Sequence, residues 1–189
     1  MKKVVKFGGS SLADANQFKK VGAIIREDDA RRYVVPSAPG KRFPSDTKVT
    51  DMLYDCYDRA SNDEDFIRQL NDIKARYQEI IDDLDIDLSL EEEFEIIEEN
   101  FKNKIGRAYA ASRGEYLNVL IMSAYLGYEF IDAKDVILFD ENGEFLKEET
   151  NIILGERLAE CENAVIPGFY GAMPDGSIQT FTRGGSDLT

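Results

Sequence analysis

The sequence predicts an α/β protein, a three-layer α/β/α sandwich in which helices cover both faces of a largely parallel sheet. Three observations carry that expectation. Short apolar runs alternate with stretches of helical periodicity along most of the chain. Two of the runs end in glycine-rich turns, Lys6-Phe7-Gly8-Gly9-Ser10-Ser11 and Thr182-Arg183-Gly184-Gly185-Ser186-Asp187, each placed to open a helix. The 189 residues, 43% hydrophobic, suffice for one substantial core.

Val4 to Phe7 is a short buried-strand candidate, and the helix after its turn carries Phe18, Val21, Ile24 and Ile25 at helical spacing. Tyr33 to Val35 form a second strand, stopped by Pro36-Ser37-Ala38-Pro39-Gly40. Ser45 or Asp46 then caps a helix bearing Met52, Leu53, Cys56 and Tyr57. From Asp63 to Gly106 the chain reads as an inserted hairpin of two acidic helices. One stripe runs Phe66, Ile67, Leu70, Ile73, Tyr77, Ile80, Ile81 and Leu84, and the other Phe94, Ile97, Phe101 and Ile105. Ser89 with Glu92 is a capping box for the second helix, and Gly106 suits its C′ position.

Ser112 to Tyr125 reads as a buried helix closed by Gly127, with Ser112-x-x-Glu115 as a possible capping box. Phe130 to Ala133 and Val136 to Phe139 read as β, and Asp140-Glu141-Asn142-Gly143 as a tight turn. A short helix around Ile153 to Glu160 precedes the strand Ala164 to Gly168. Pro174-Asp175-Gly176 is a hairpin turn into Ser177 to Phe181. Sites in such a sheet belong at the carboxyl ends of the strands.

Acidic residues outnumber basic ones 37 to 23, and the resulting charge of -14 repels nucleic acid. A few cations near the glycine turns still offer local attraction to a phosphorylated ligand. There is no histidine, and Cys56 and Cys161 stand apart in unrelated contexts, which removes a zinc site, a Cys-His nucleophile and a Ser-His-Asp triad. Both cysteines read as buried thiols of a cytoplasmic protein. No stretch reaches membrane-spanning length, and the opening residues read as a strand rather than a signal peptide.

Two common phosphate fingerprints fail. The nearest Walker A candidate, around Gly40-Lys41, has Val35 in place of the first glycine and Arg42 in place of the hydroxyl, and the spacing G-x-G-x-x-G appears nowhere. What remains is a strand, Lys6, a Gly-Gly turn and a helix, whose backbone amides can cradle phosphate while Lys6 reaches back to it.

That arrangement resembles the amino acid kinase superfamily, and its aspartokinase branch closely. The pieces occur in the family's order: Lys6 to Ser11, Val35 to Gly40, Thr50-Asp51, Ser112-Arg113-Gly114-Glu115, Pro167-Gly168-Phe169-Tyr170-Gly171, and Thr182 to Asp187. The resemblance spans the whole chain and implies the carbamate kinase-like fold. It implies that Lys6, Phe7, Gly8, Gly9, Ser10, Gly184 and Gly185 hold the ATP phosphates. Lys6 neutralises charge on the transferred phosphoryl group, and Asp187 positions Lys6 near the phosphate and metal region. Glu115 meets the substrate ammonium and Arg183 clamps its carboxylate. Ser37, Thr50 and Ser186 give hydroxyl contacts, and Phe169 walls the pocket. The bland alternatives are a strand-end lysine for Lys6, a helix cap for Glu115, a solvated arginine for Arg183 and a dipole-favoured acid for Asp187.

The implied reaction transfers the ATP γ-phosphoryl group to the side-chain carboxylate of L-aspartate, the first step toward lysine, threonine and methionine. A carboxylate is already ionised, so no general base is needed. Mg²⁺ would bridge the phosphates with few protein ligands, and no residue is assigned to it. Relative to the family pattern the chain lacks the rest of the kinase domain, with the nucleotide base site and a further catalytic lysine, and the regulatory ACT domains. It therefore reads as a partial domain, inactive alone, of a full-length protein expected to be a homo-oligomer. Pro36 departs from the strand-friendly residue expected there. Two alternatives stay open: another carboxylate or carbamate kinase of the superfamily, or a non-catalytic module with an anion pocket or an interacting acidic hairpin.

Overall fold

The computed structural model describes residues 2–181. Strand β1 (Lys3–Phe7) passes through a 3-10 turn (Gly9–Leu12) into α1 (Ala15–Arg26) and then β2 (Arg31–Pro36). Helices α2 (Val49–Ser61), α3 (Ile67–Leu84), α4 (Glu91–Lys102) and α5 (Arg107–Leu126) follow. The remaining elements are β3 (Glu129–Phe130), α6 (Ala133–Val136), α7 (Lys147–Ala159), β4 (Ala164–Val165), and the strands β5 (Tyr170–Ala172) and β6 (Ile178–Thr180).

The four strands β1-β2-β4-β3 form one parallel sheet. Successive residues of a strand face opposite sides, and both sides are buried here. Val34 and Val165 enter one core with α1 to α5, while Tyr33, Ala164 and Ile166 enter a second core with α6, Phe139, Tyr170 and Phe181. That two-sided burial explains why the strands read as continuous apolar runs. The predicted hairpin is present: β5 and β6 are antiparallel, joined across Gly176 at φ 83°. Pro36 is accommodated as the last residue of β2, opposite Phe7, and the ladder continues through the Ser37 amide, which donates to the Phe7 carbonyl at 3.0 Å.

Helix α5 is buried nearly all round from Ala110 to Ser123 and lies between the sheet and α2, α3 and α4. Helices α3 and α4 pack through the expected stripes, but Ile67 and Ile105 lie outside the core. Tyr57 and Phe101 meet edge to face at a centroid distance of 5.4 Å, so the acidic helices share one core with α2.

Several local expectations are corrected. The first glycine turn opens a 3-10 turn rather than an α-helix, and α1 starts only after Asp14, whose carboxylate accepts the Gln17 amide at 2.9 Å. Neither Ser45 nor Asp46 caps α2. Lys48 holds that position, and Asp46 binds arginines instead. Ser89 accepts from the Glu91 amide at 3.3 Å rather than from Glu92, so the box is not formed. Gly106, at φ 135°, begins α5 instead of ending α4. The β-like run before the Asp140 turn contains α6, because Asp132 caps it by accepting the Lys134 amide at 3.1 Å. Only single bridges remain of the strand expected at Val136 to Phe139.

Candidate functional site

The site grows from the parallel register of β1 and β2. Because the two strands end side by side at Phe7 and Pro36, their following loops leave the same edge of the sheet. The loops are then joined by the Gly40 amide, which donates to the Gly9 carbonyl at 2.8 Å. A Cβ on Gly9 would sit 2.8 Å from the Ala38 carbonyl oxygen, and one on Gly40 would sit 2.6 Å from the Gly9 carbonyl carbon. Both contacts are with backbone, so only glycine permits this approach. Gly8 is different: it is extended, and a Cβ there would meet nothing within 4 Å.

Helix α5 closes the other side. Gly114 lets it come against Ala38, where a Cβ would lie 2.8 Å from the alanine methyl. The Asn118 amide nitrogen donates to the Ser37 carbonyl at 2.6 Å, and the Tyr77 hydroxyl donates to the Gly114 carbonyl at 2.8 Å. Next to Tyr77, Arg76 reaches the Gly40 carbonyl at 3.0 Å, the Thr47 carbonyl at 3.2 Å and Asp46 at 3.2 Å. Two consecutive residues of α3 thus hold both walls.

Between the walls lies a cleft of ≈ 490 Å³. Gly9 and Ser10 come from the first loop, Ser37 and Lys41 from the second, Lys48 and Thr50 from the start of α2, and Glu115 from α5. Among the described residues, Glu115 is the one carboxylate that lines the cleft. Burial raises its carboxyl to about 7, against the opposing pull of a hydrogen bond from the Ala38 main chain. Its Oε2 atom is buried and has no hydrogen-bond partner among the described residues.

The structure therefore brings together Gly9, Ser10, Ser37, Thr50 and Glu115. The capping-box reading of Ser112 and Glu115 fails, since α5 begins at Arg107 and both side chains are buried in its middle. Ser112 instead donates back to the Tyr109 carbonyl at 2.6 Å. Lys6 is exposed at the end of β1, next to Phe7 and Gly8, and lies outside the cleft wall. Phe169 is half-buried with φ 79°, a left-handed backbone that is uncommon for a bulky residue, and it too lies outside the cleft wall. Arg183, Gly184, Gly185, Ser186 and Asp187 lie outside the described residues.

Sequence reasoning missed Gly40, Lys41, Lys48, Arg76 and Asn118. For Arg76 a signal existed, because positions 73, 76, 77 and 80 share one helix face and the arginine interrupts an otherwise apolar stripe. Asn118 was similarly placed one turn beyond Glu115 in an apolar helix.

Comparisons with known proteins agree with this architecture. Aspartokinase 3 of Bacillus subtilis (strain 168) is 36% identical over 203 aligned positions, covering 99% of this chain and 44% of that protein. The aspartokinase of Chlamydia trachomatis is 29% identical, covering 98% and 44%. The solved aspartate kinase of Clostridium acetobutylicum superposes with a TM-score of 0.95 at 49% identity, covering 100% of this chain and 44% of that one. Escherichia coli aspartokinase III, solved with aspartate and ADP, has a TM-score of 0.81 over 100% of this chain and 45% of its own, and at 22% identity is a likeness of fold alone. The chain spans less than half the length of these relatives. The family model described as the amino acid kinase family matches residues 1–189, the whole of the chain. The chain belongs to the amino acid kinase family.

Proposed function

We propose that this chain is the amino-acid-binding part of an aspartokinase, which transfers the γ-phosphoryl group of ATP to the side-chain carboxylate of L-aspartate. The observation that carries the reading is the buried Oε2 of Glu115, without a hydrogen-bond partner among the described residues, at the wall of a cleft made in part from two glycine-bearing loops. A buried carboxylate oxygen without a donor is costly, and a ligand ammonium group supplies both the charge and the hydrogen bond it lacks. Ser37 and Thr50 line the same cleft, where they can orient such a ligand.

The Gly9 and Ser10 backbone of the first loop suits phosphate. Lys6 and Phe7 to Ser10 are proposed as the nucleotide-phosphate contacts, with Gly184 and Gly185 completing them. Arg183, Ser186 and Phe169 are proposed for the amino acid, and Asp187 for orienting Lys6. Among the described residues Glu115 is the one carboxylate on the cleft, which fits Mg²⁺ arriving on the nucleotide phosphates rather than on ligands from these walls. Residues 63–106 are proposed as a helical insertion within the partial kinase domain. The resemblance extends the reading to a cytoplasmic, homo-oligomeric enzyme of lysine, threonine and methionine synthesis.

Calorimetric titration with L-aspartate, L-glutamate and carbamate tests the reading. Binding of aspartate alone, abolished by Glu115→Gln, is expected. Equal binding of glutamate or carbamate would point to another kinase of the family.

A further inference from the structure

Two lysines outside the set above line the same cleft. Lys41 and Lys48 stand at the two ends of the segment that leads from Gly40 to α2, and both are exposed. The acids of that neighbourhood are already engaged by arginines. Asp46 takes Arg42 at 2.8 Å and Arg76 at 3.2 Å, and Glu79 takes Arg42 at 3.2 Å. The Lys41 ammonium reaches only the Pro44 carbonyl, at 3.4 Å, among the described residues. The division of labour follows the chemistry of the two side chains: planar guanidinium forks brace the segment, and compact ammonium groups stay available.

The charge balance is unusual for this molecule. A chain of net charge -14 presents, among the described residues of this cleft, two lysines against one carboxylate. Such a local reversal focuses anions where the rest of the surface repels them. Resting on the functional reading above, we propose that Lys41 and Lys48 are ligand-binding cations that receive the oxyanions of the bound ligands, a carboxylate of the amino acid or a terminal phosphoryl group of the nucleotide. The braced segment Arg42-Asp46-Arg76 fixes where those ammonium groups are anchored, and Glu115 takes the ammonium of the amino acid.

The test is calorimetric titration of the chain with two probes, L-aspartate and inorganic tripolyphosphate. The proteins are the parent, Lys41→Met, Lys48→Met, the double variant, the two Lys→Arg variants and Glu115→Gln. Because the brace does not include either lysine, the Met variants should melt with the parent. Each should lose about ten- to a hundred-fold in affinity for the probe whose oxyanion it holds, and the arginine variants should recover most of the loss. The probe affected tells carboxylate from phosphoryl. If the double variant binds both probes with parental affinity while Glu115→Gln loses aspartate, the lysines are ordinary solvated side chains and the functional reading survives. If Glu115→Gln keeps parental aspartate affinity, that reading fails, and the lysines are judged on tripolyphosphate alone. A parent that binds neither probe overturns both.

Discussion

The Gly40 amide donates to the Gly9 carbonyl across 2.8 Å, and this single bond makes one surface of two loops that lie about thirty positions apart in the chain. The loop side of the cleft is built around it. The parallel register of β1 and β2 delivers both loops to one edge, the missing side chains let their backbones touch, and Arg76 secures the joint from behind.

The glycines of the two loops should therefore respond unequally to substitution. Gly40→Ala drives a methyl to 2.6 Å from the Gly9 carbonyl carbon and is expected to cost about 1–3 kcal/mol as an overpacked backbone contact. Gly8→Ala meets open space with φ -75° and should stay within about 0.5 kcal/mol of the parent. Urea denaturation of the two variants, with Gly9→Ala expected to follow Gly40→Ala, measures the contrast.

Arg76→Met removes the guanidinium that joins α3 to the Gly40 and Thr47 carbonyls and to Asp46. Asp46 keeps Arg42, at 2.8 Å, so the expected loss is about 2–3 kcal/mol rather than the larger figure for an orphaned buried charge. Denaturant melts give the loss. Tyr77→Phe, which frees only the Gly114 carbonyl, should cost about 1 kcal/mol.

Glu115 makes stability depend on pH. Its folded carboxyl is raised to about 7 from 4.5, so between these values the folded state holds a proton that the unfolded chain has released. The ligand-free protein is accordingly most stable, as far as this group decides, below about 4.5, and loses up to about 3 kcal/mol as pH rises through 7. Glu115→Gln should remove that decline and be the more stable protein at pH 8. Aspartate affinity should run the other way in the parent, rising through pH 7 as the carboxylate ionises. Thermal melts from pH 5 to 8.5, with and without L-aspartate, check both trends.

Asp46 acts on the acid side. Its hydrogen bond with Arg42 holds the carboxyl well below the usual range, so its contribution is complete above about 3.8 and is lost as pH falls below that value. Asp46→Asn should flatten the decline of stability below pH 4, measured by acid titration of the fluorescence or circular dichroism signal.

The sheet was legible because its strands are short apolar runs closed by glycine or proline, and Tyr33 beside Val34 already implied burial on two faces. Glu115, Ser37 and Thr50 were legible through their motifs. What escaped did so for physical reasons. A capping box has meaning only in the first turn, and α5 starts at Arg107, five residues before Ser112, so the Ser112-Glu115 spacing carried no capping information. Phe130 to Ala133 and Val136 to Phe139 read as strands, yet the Asp132 cap makes the chain between and across them the helix α6. The brace through Asp46 and Arg76 joins residues 30 positions apart and leaves no local pattern.

The central claim is that the orphaned Glu115 oxygen awaits the ammonium group of L-aspartate. Calorimetric titration of L-aspartate into the parent and into Glu115→Gln at pH 8 tests it most directly. The account predicts saturable binding in the parent and none in the more stable variant. Equal aspartate affinity in the two proteins would contradict it.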